Sequence, residues 1–204
     1  MRLNEEKIDY ELIQSLLVHI DENFDEGAVL VFLPGMAEIN NLYDQLTSSY
    51  HFGKEAAKRD WIMPLHSNIS PEEQRGVFKN PPQGIRKFVL ATNIAETSIT
   101  IDDIVYVVDS GHVKERQYDA SRGLGMLIEG WISAASAKQR KGRAGRVQPG
   151  VCFSLFTSDR AGKMKKHPVP EIMRVPLEEV CLHIRKLQLG LCKEFLGRMV
   201  EPPH

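Results

Sequence analysis

Cysteine is scarce in this chain. There are three, Cys152, Cys181 and Cys192, scattered and with no CxxC pair. An odd, dispersed set excludes a disulfide framework and suits a reducing compartment. No metal-ligand cluster is expected. No apolar run reaches the roughly 20 residues of a membrane-spanning helix. The start, Met1-Arg2-Leu3-Asn4-Glu5-Glu6, has no apolar stretch after a basic one and is not read as a secretory signal. The expectation is therefore an intracellular protein, cytoplasmic rather than nuclear. Charge of one sign is also lacking. The formal net charge is -1, so there is no global basic field and any nucleic-acid binding needs a local patch. Internal repeats and low-complexity tracts are absent. Two further absences bear on chemistry. No G-x-x-x-x-G-K-[ST] occurs, so nothing forms a phosphate-cradling P-loop. No Asp-Glu pair follows an apolar strand where a magnesium-holding motif would put it.

What is present reads as α/β. With 204 residues and 42% hydrophobic content, the chain makes one domain, or one domain with appendages, around a sizeable core. Ile8, Leu12, Ile13, Leu16, Leu17, Ile20 and Phe24 recur at helical spacing. Ala28 to Leu33 is a continuous apolar run, the pattern of a buried parallel strand, stopped by Pro34-Gly35. Met36, Ile39, Leu42, Tyr43 and Leu46 give a second helical face. Residues 47 to 60 are polar and predict a loop. Trp61 to Leu65 predicts a strand. Ser70, Pro71 and Glu73 predict a capped helix start, with the helix running to about Phe78. Lys87 to Thr92 and Ile104 to Val108 are further strands, and residues 113 to 133 predict a β-hairpin. A helix opens near Ser136, Val151 to Phe156 is a last strand, Ser158 to Lys166 predicts a basic helix, and Leu177 to Leu187 carries a closing amphipathic one. Alternating strands and helices predict an open, mostly parallel sheet with helices on both faces and a projecting hairpin. Ligands in such sheets gather beyond the carboxyl ends of the strands.

The stretch richest in chemistry is Gln139-Arg140-Lys141-Gly142-Arg143-Ala144-Gly145-Arg146. On a helix, Arg143 and Arg146 share a face with Gln139. Two guanidiniums match the charge and fork geometry of a polyphosphate, and a glutamine beside them can orient water. Two readings stand on spacing alone: an arginine-finger element, or a solvated basic helix face.

Several motifs in order carry a resemblance. Leu30 to Gly35, Glu73-Gln74-Arg75 through Phe78, Ala91 to Asp102, Val107 to Gly111, Gln139 to Arg146, and Pro170 to Glu179 resemble, in sequence, the second RecA-like domain of DEAH/RHA-family helicases. The stretches Leu30–Gly35, Ala91–Asp102 and Gln139–Arg146 look like motifs IV, V and VI. The likeness spans about residues 8 to 190. It implies a RecA-like sheet over residues 26–190 that includes hairpin 113–133. A helix in 1–25 would pack on it, and residues 191–204 would open a following winged-helix-like region.

The resemblance also implies roles. Arg143 and Arg146 would reach the phosphates of ATP, with Gln139 placing the γ-phosphate or the attacking water. Phe78 would stack on the base, Asp102 would hydrogen-bond the ribose, and Ser98 and Thr100 would couple the nucleotide to RNA. Gly35, Ser67, Thr92 and Asn93 would contact the backbone of single-stranded RNA. ATP, or another nucleoside triphosphate, and Mg2+ would be held mainly by a first RecA-like domain. Pro34 departs from relatives that carry a hydroxyl residue there, and it has no N–H to offer a phosphate. The implied function is one motor half of an ATP-dependent RNA helicase acting in RNA processing or translation, monomeric and without membrane contact. A non-catalytic RNA-binding or protein-docking domain and a DNA translocase are the alternatives. The hairpin would sit at the strand entrance, or serve as an interaction arm.

Overall fold

A computed structural model describes residues 4–119, 121–200 and 202–203. The chain divides into two compact units: Met1–Val113 with Trp131–His167, and Lys114–Gly130 with Pro168–His204.

The first unit is built on five parallel strands, β1 (Ala28–Phe32), β2 (Ile62–Leu65), β3 (Phe88–Ala91), β4 (Ile104–Asp109) and β7 (Val151–Ser154), in the order β2-β3-β1-β4-β7. The central strands are apolar throughout because both faces are covered. Side-chain alternation divides them cleanly. Val29, Val31, Leu33, Phe88, Leu90 and Val108 join Ile13, Leu17 and Ile20 of α1 (Tyr10–Asn23) and Ile39, Leu42 and Leu46 of α2 (Met36–Ser48). On the other face Leu30, Phe32, Val89, Ala91 and Val107 pack with Val77, Ala95, Ile101 and Ala144. Helices thus lie on both faces, as the periodicity predicts. At Gly27, φ is +147° and a Cβ would lie 2.3 Å from a Val105 methyl, so the turn into β1 requires glycine.

Two local expectations are corrected. Residues 47–60 are not a loop: α2 runs to Ser48, and α3 (Tyr50–Gly53) and α4 (Ala56–Arg59) follow. The polar composition hides one anchor. Phe52 is buried against Phe88 at a ring distance of 5.0 Å, and Ser49 caps the turn that carries it. The arginine segment is not continuous helix either. Following α5 (Pro71–Gly76) and α6 (Ile94–Thr97), α7 spans Ala134–Lys141 and stops at Gly142. The Arg143 and Ala144 amides donate to carbonyls three residues back, Arg140 and Lys141. Arg143 and Arg146 therefore sit in a turn, and helical facing does not relate them.

Strands β5 (His112–Asp119) and β6 (Leu124–Trp131) pair as the predicted hairpin. Its outer parts, Lys114–Asp119 and Leu124–Gly130, belong to the second unit. There Arg174 donates to the Arg116 carbonyl at 3.1 Å and pairs with Glu115 at 3.4 Å. After α8 (Ser158–Lys163), which belongs to the first unit, the second unit adds a 3₁₀ turn (Glu171–Met173), α9 (Glu178–Lys186) and α10 (Cys192–Leu196). Among the described residues, no helix is long and apolar enough to cross a membrane.

Candidate functional site

In an all-parallel sheet every strand ends at the same edge. Ser67 follows β2, Thr92 and Asn93 follow β3, and Gly35 follows β1, so these residues lie side by side beyond three neighbouring strands. The strand ends are knitted by the Leu33 amide on the Ala91 carbonyl at 2.8 Å and the Ser110 amide on the Phe32 carbonyl at 3.3 Å. Ser67 and Asn93 are exposed, whereas Thr92 and Gly35 are buried. Gly35 opens α2 with no side chain to cap it, leaving first-turn N–H groups unserved from within the helix.

The second group sits at the opposite edge, where the strands begin. The candidate residues therefore do not all lie beyond the carboxyl ends of the strands. Asp102 lies two residues before β4, and Phe78 lies in the connection from α5 to β3. Arg143 and Arg146 lie in the connection from α7 to β7. The reason is the segment after β3. From Thr92 it enters α6, buries Ala95 and Ile101 on the sheet, and crosses the face to Asp102 at the far edge.

A buried ion cluster fixes the arginine turn. Arg140 is fully buried. Its Nε donates to Glu96 at 3.0 Å, and its Nη1 donates to Asp109 at 2.8 Å and to the His112 carbonyl at 3.3 Å. The guanidinium lies 4.8 Å from the Phe32 ring centre, and its Nη2 is buried with no hydrogen-bond partner. Two carboxylates on one guanidinium, from the ends of α6 and β4, hold α7 against both. The turn is then stitched to the crossing segment. Arg143 donates to the Glu96 carbonyl and, at 3.3 Å, to the Ile99 carbonyl, while Arg146 donates to the Thr100 hydroxyl. Burial pulls the Arg143 guanidinium below its ordinary range, as does Arg146 beside it, and Glu96 pulls the other way. Gly150 closes the turn: a Cβ there would lie 1.9 Å from the Ala144 carbonyl oxygen and 2.2 Å from that of Val105.

Arg146, Thr100, Asp102 and Ser98 are exposed, Arg143 is partly buried, and Phe78 keeps 51% of its surface in solvent. Gln139 is exposed on α7. The set offers a ring face, a carboxylate, hydroxyls and two guanidiniums along one rim. A ring face can stack on a base, and guanidiniums can pair with phosphates. Burial first, and then the Asp109 carboxylate, push the Cys152 thiol up to about 11, which disfavours the thiolate.

The residues that sequence reasoning missed are Glu96, Asp109 and Arg140. One signal was available: Asp109 closes a strand whose five preceding residues are apolar, a place where a carboxylate needs a partner. For Arg140 a charge run gave no hint of burial.

The helicase conserved C-terminal domain family matches residues 9–148. The chloroplastic DExH-box ATP-dependent RNA helicase DExH4 of Arabidopsis thaliana is 55% identical over 197 residues, which are 96% of this chain and 14% of that protein. The human putative ATP-dependent RNA helicase DHX57 is 51% identical, covering 98% of this chain and 15% of its own length. The bovine ATP-dependent DNA/RNA helicase DHX36 is 48% identical, with 98% of this chain covering 20% of it. In structure, the DExH-box NTPase HrpB of E. coli aligns with a TM-score of 0.76 and 34% identity over 94% of this chain and 22% of that one. The chain thus spans 14% to 20% of the length of these curated relatives. From the match over residues 9–148, the chain belongs to the helicase conserved C-terminal domain family.

Proposed function

We propose that this chain is one motor half of an ATP-dependent RNA helicase. Residues 26–190 form the second RecA-like domain, residues 1–25 supply the helix packed on it, and 191–204 begin the next region. Arg143 and Arg146 act as fingers toward ATP, and Gln139 orients the γ-phosphate or the attacking water. Phe78 carries the base, Asp102 holds the ribose, and Ser98 and Thr100 relay between nucleotide and RNA. Gly35, Ser67, Thr92 and Asn93 grip the backbone of single-stranded RNA. A first RecA-like domain holds the triphosphate and Mg2+, which supplies Lewis-acid charge to the phosphates. The hairpin within 113–133 stands at the strand entrance. Such a protein works inside the cell, where ATP and RNA are.

The observation that carries this reading is the buried Arg140. A solvated basic face has no need of an anchor, yet here one fully buried guanidinium binds two carboxylates so that the next two arginines are held beside the rim of exposed polar residues. Preorganised charge of this kind stabilises a phosphoryl-transfer transition state without reorganisation. For RNA, the row of strand ends and the uncapped start of α2 suit phosphate and sugar contacts.

The test is steady-state ATP hydrolysis at saturating RNA in the enzyme carrying both RecA-like halves. Arg143→Ala and Arg146→Ala are each expected to lower kcat by about 10³ to 10⁵ with a smaller change in KM. Arg143→Lys should recover only part, since an ammonium lacks the fork. Near-normal turnover in both alanine variants would instead favour a non-catalytic RNA-binding or docking domain.

A further inference from the structure

Among the described residues Lys87 is the one lysine with a fully buried side chain, and the roles above make no use of it. It stands at the start of β3. Its ammonium donates to the Val77 carbonyl at 2.6 Å and to the Lys79 carbonyl at 2.9 Å, and it pairs with Asp103 at 2.8 Å. An ammonium has three donors, and all three are used. The two carbonyls flank one residue, Phe78. The carboxylate is next to Asp102. Between Lys87 and Asp103 runs the start of β1: the Val29 amide donates to the Lys87 carbonyl and the Ala28 amide to the Asp103 carbonyl, both at 2.9 Å. The side chain therefore spans from the strand on one side of β1 to the connector entering the strand on the other.

We infer that Lys87 is a positioning residue for nucleotide binding, fixing the backbone on both sides of Phe78 and tying it to the Asp102–Asp103 pair. Phe78 lies two residues beyond the last residue of α5, with its amide on the Arg75 carbonyl at 3.3 Å and the next amide on that of Gly76 at 3.1 Å, and its ring is half in solvent, so only these long turn bonds and the Lys87 ammonium hold its backbone there. Clamping the carbonyls before and after it removes the backbone freedom through which the ring could swing. A mobile ring pays ordering entropy each time a base lands on it, and a clamped one does not. Because the same ammonium holds Asp103, base platform and ribose carboxylate keep a fixed spacing, which is what a rigid nucleoside requires. Lys87 touches no substrate in this arrangement and acts only through Phe78 and its neighbours.

The inference rests on the nucleotide reading proposed above, and the test separates the two. Four forms of the two-domain enzyme are compared at saturating RNA: the unmodified protein, Phe78→Ala, Lys87→Met and the double variant. Loss of base–aromatic stacking should raise the KM for ATP about five- to a hundredfold in Phe78→Ala. Lys87→Met keeps the aliphatic stem and should give a rise of the same order, with kcat at saturating ATP unchanged. In the double variant it should add nothing to Phe78→Ala, because the clamp has no ring left to hold. Ribose triphosphate without a base should show one KM across all four forms. A Lys87→Met effect that persists with the base-less compound, or multiplies with that of Phe78→Ala, marks a general structural role and overturns the inference. If Phe78→Ala itself leaves the KM for ATP unchanged, it is the nucleotide reading that falls. Should Lys87→Met not accumulate as folded protein, Asp103→Ala loosens the ammonium from its partly exposed partner. A smaller, base-dependent rise in KM is then expected, and no rise overturns the inference.

Discussion

Arg140 and the two arginines after it have the same chemistry and opposite fates. Arg140 is fully buried with two carboxylates, while Arg146 stands in solvent. Removing a buried cation strands its partners. Arg140→Met should therefore cost about 3–5 kcal/mol, read as a lowered urea midpoint, because Glu96 and Asp109 keep charges they can neither hydrate nor pair. Replacing all three together, with Glu96→Gln and Asp109→Asn added, should recover a large part of that loss. Full recovery is not expected, as the His112 carbonyl also loses its donor. Sequence reading at this scale was uneven for a physical reason. It named Arg143 and Arg146 by spacing and resemblance, but spacing within a charge run says nothing about which member is inside. That depends on carboxylates 44 and 31 residues away in the chain.

At the scale of elements, α1 shows how a polar surface helix is fastened. Its Asp21 takes a hydrogen bond from His51 of α3 at 2.8 Å and one from Lys58 of α4 at 3.1 Å, with Arg86 at 3.4 Å. Burial raises the Asp21 carboxyl, but His51 and Lys58 together outweigh it and leave it below the usual range. A carboxyl depressed in the folded state contributes stability that is present above its unfolded value, about 3.9, and is lost as pH falls through the folded one. Asp21→Asn should thus lower stability by about 2 kcal/mol near neutrality, and the gap to the unmodified protein should close as pH drops below about 4. Urea midpoints of both proteins across that range would show it. These same short helices are where the sequence was least legible. Four-residue turns have no periodicity to read, and α3 and α4 exist because Phe52 and Asp21 supply tertiary partners. The long apolar strands, and the capping box at Ser70 and Glu73, were legible because each is specified by residues within the element itself.

For the molecule as a whole, a net charge of -1 leaves no long-range attraction to nucleic acid. On the reading proposed above, binding comes from the row of strand ends. This chain alone should bind single-stranded RNA weakly and without base preference, with the logarithm of affinity falling by about 0.7 per phosphate contact for each logarithmic unit of salt. Fluorescence anisotropy on homopolymers of different base would check it, and tight, base-selective, salt-resistant binding would contradict backbone gripping. The same chain should hydrolyse no ATP above background, since it has no P-loop sequence.

The segment from Thr92 to Asp102 crosses the sheet with a single helical turn in the middle, and Glu96 in that turn is held by Arg140. On the proposed reading, one end belongs to the RNA edge and the other to the nucleotide edge. Free-energy linkage makes such a bridge symmetric at equilibrium. If filling the nucleotide edge weakens the grip on RNA by some factor, occupying the RNA edge must weaken nucleotide binding by the same factor. If the proposed reading holds, the bridge cannot be tuned at one end without being retuned at the other. A change in the turn that alters the coupling would be read as the same factor from either edge.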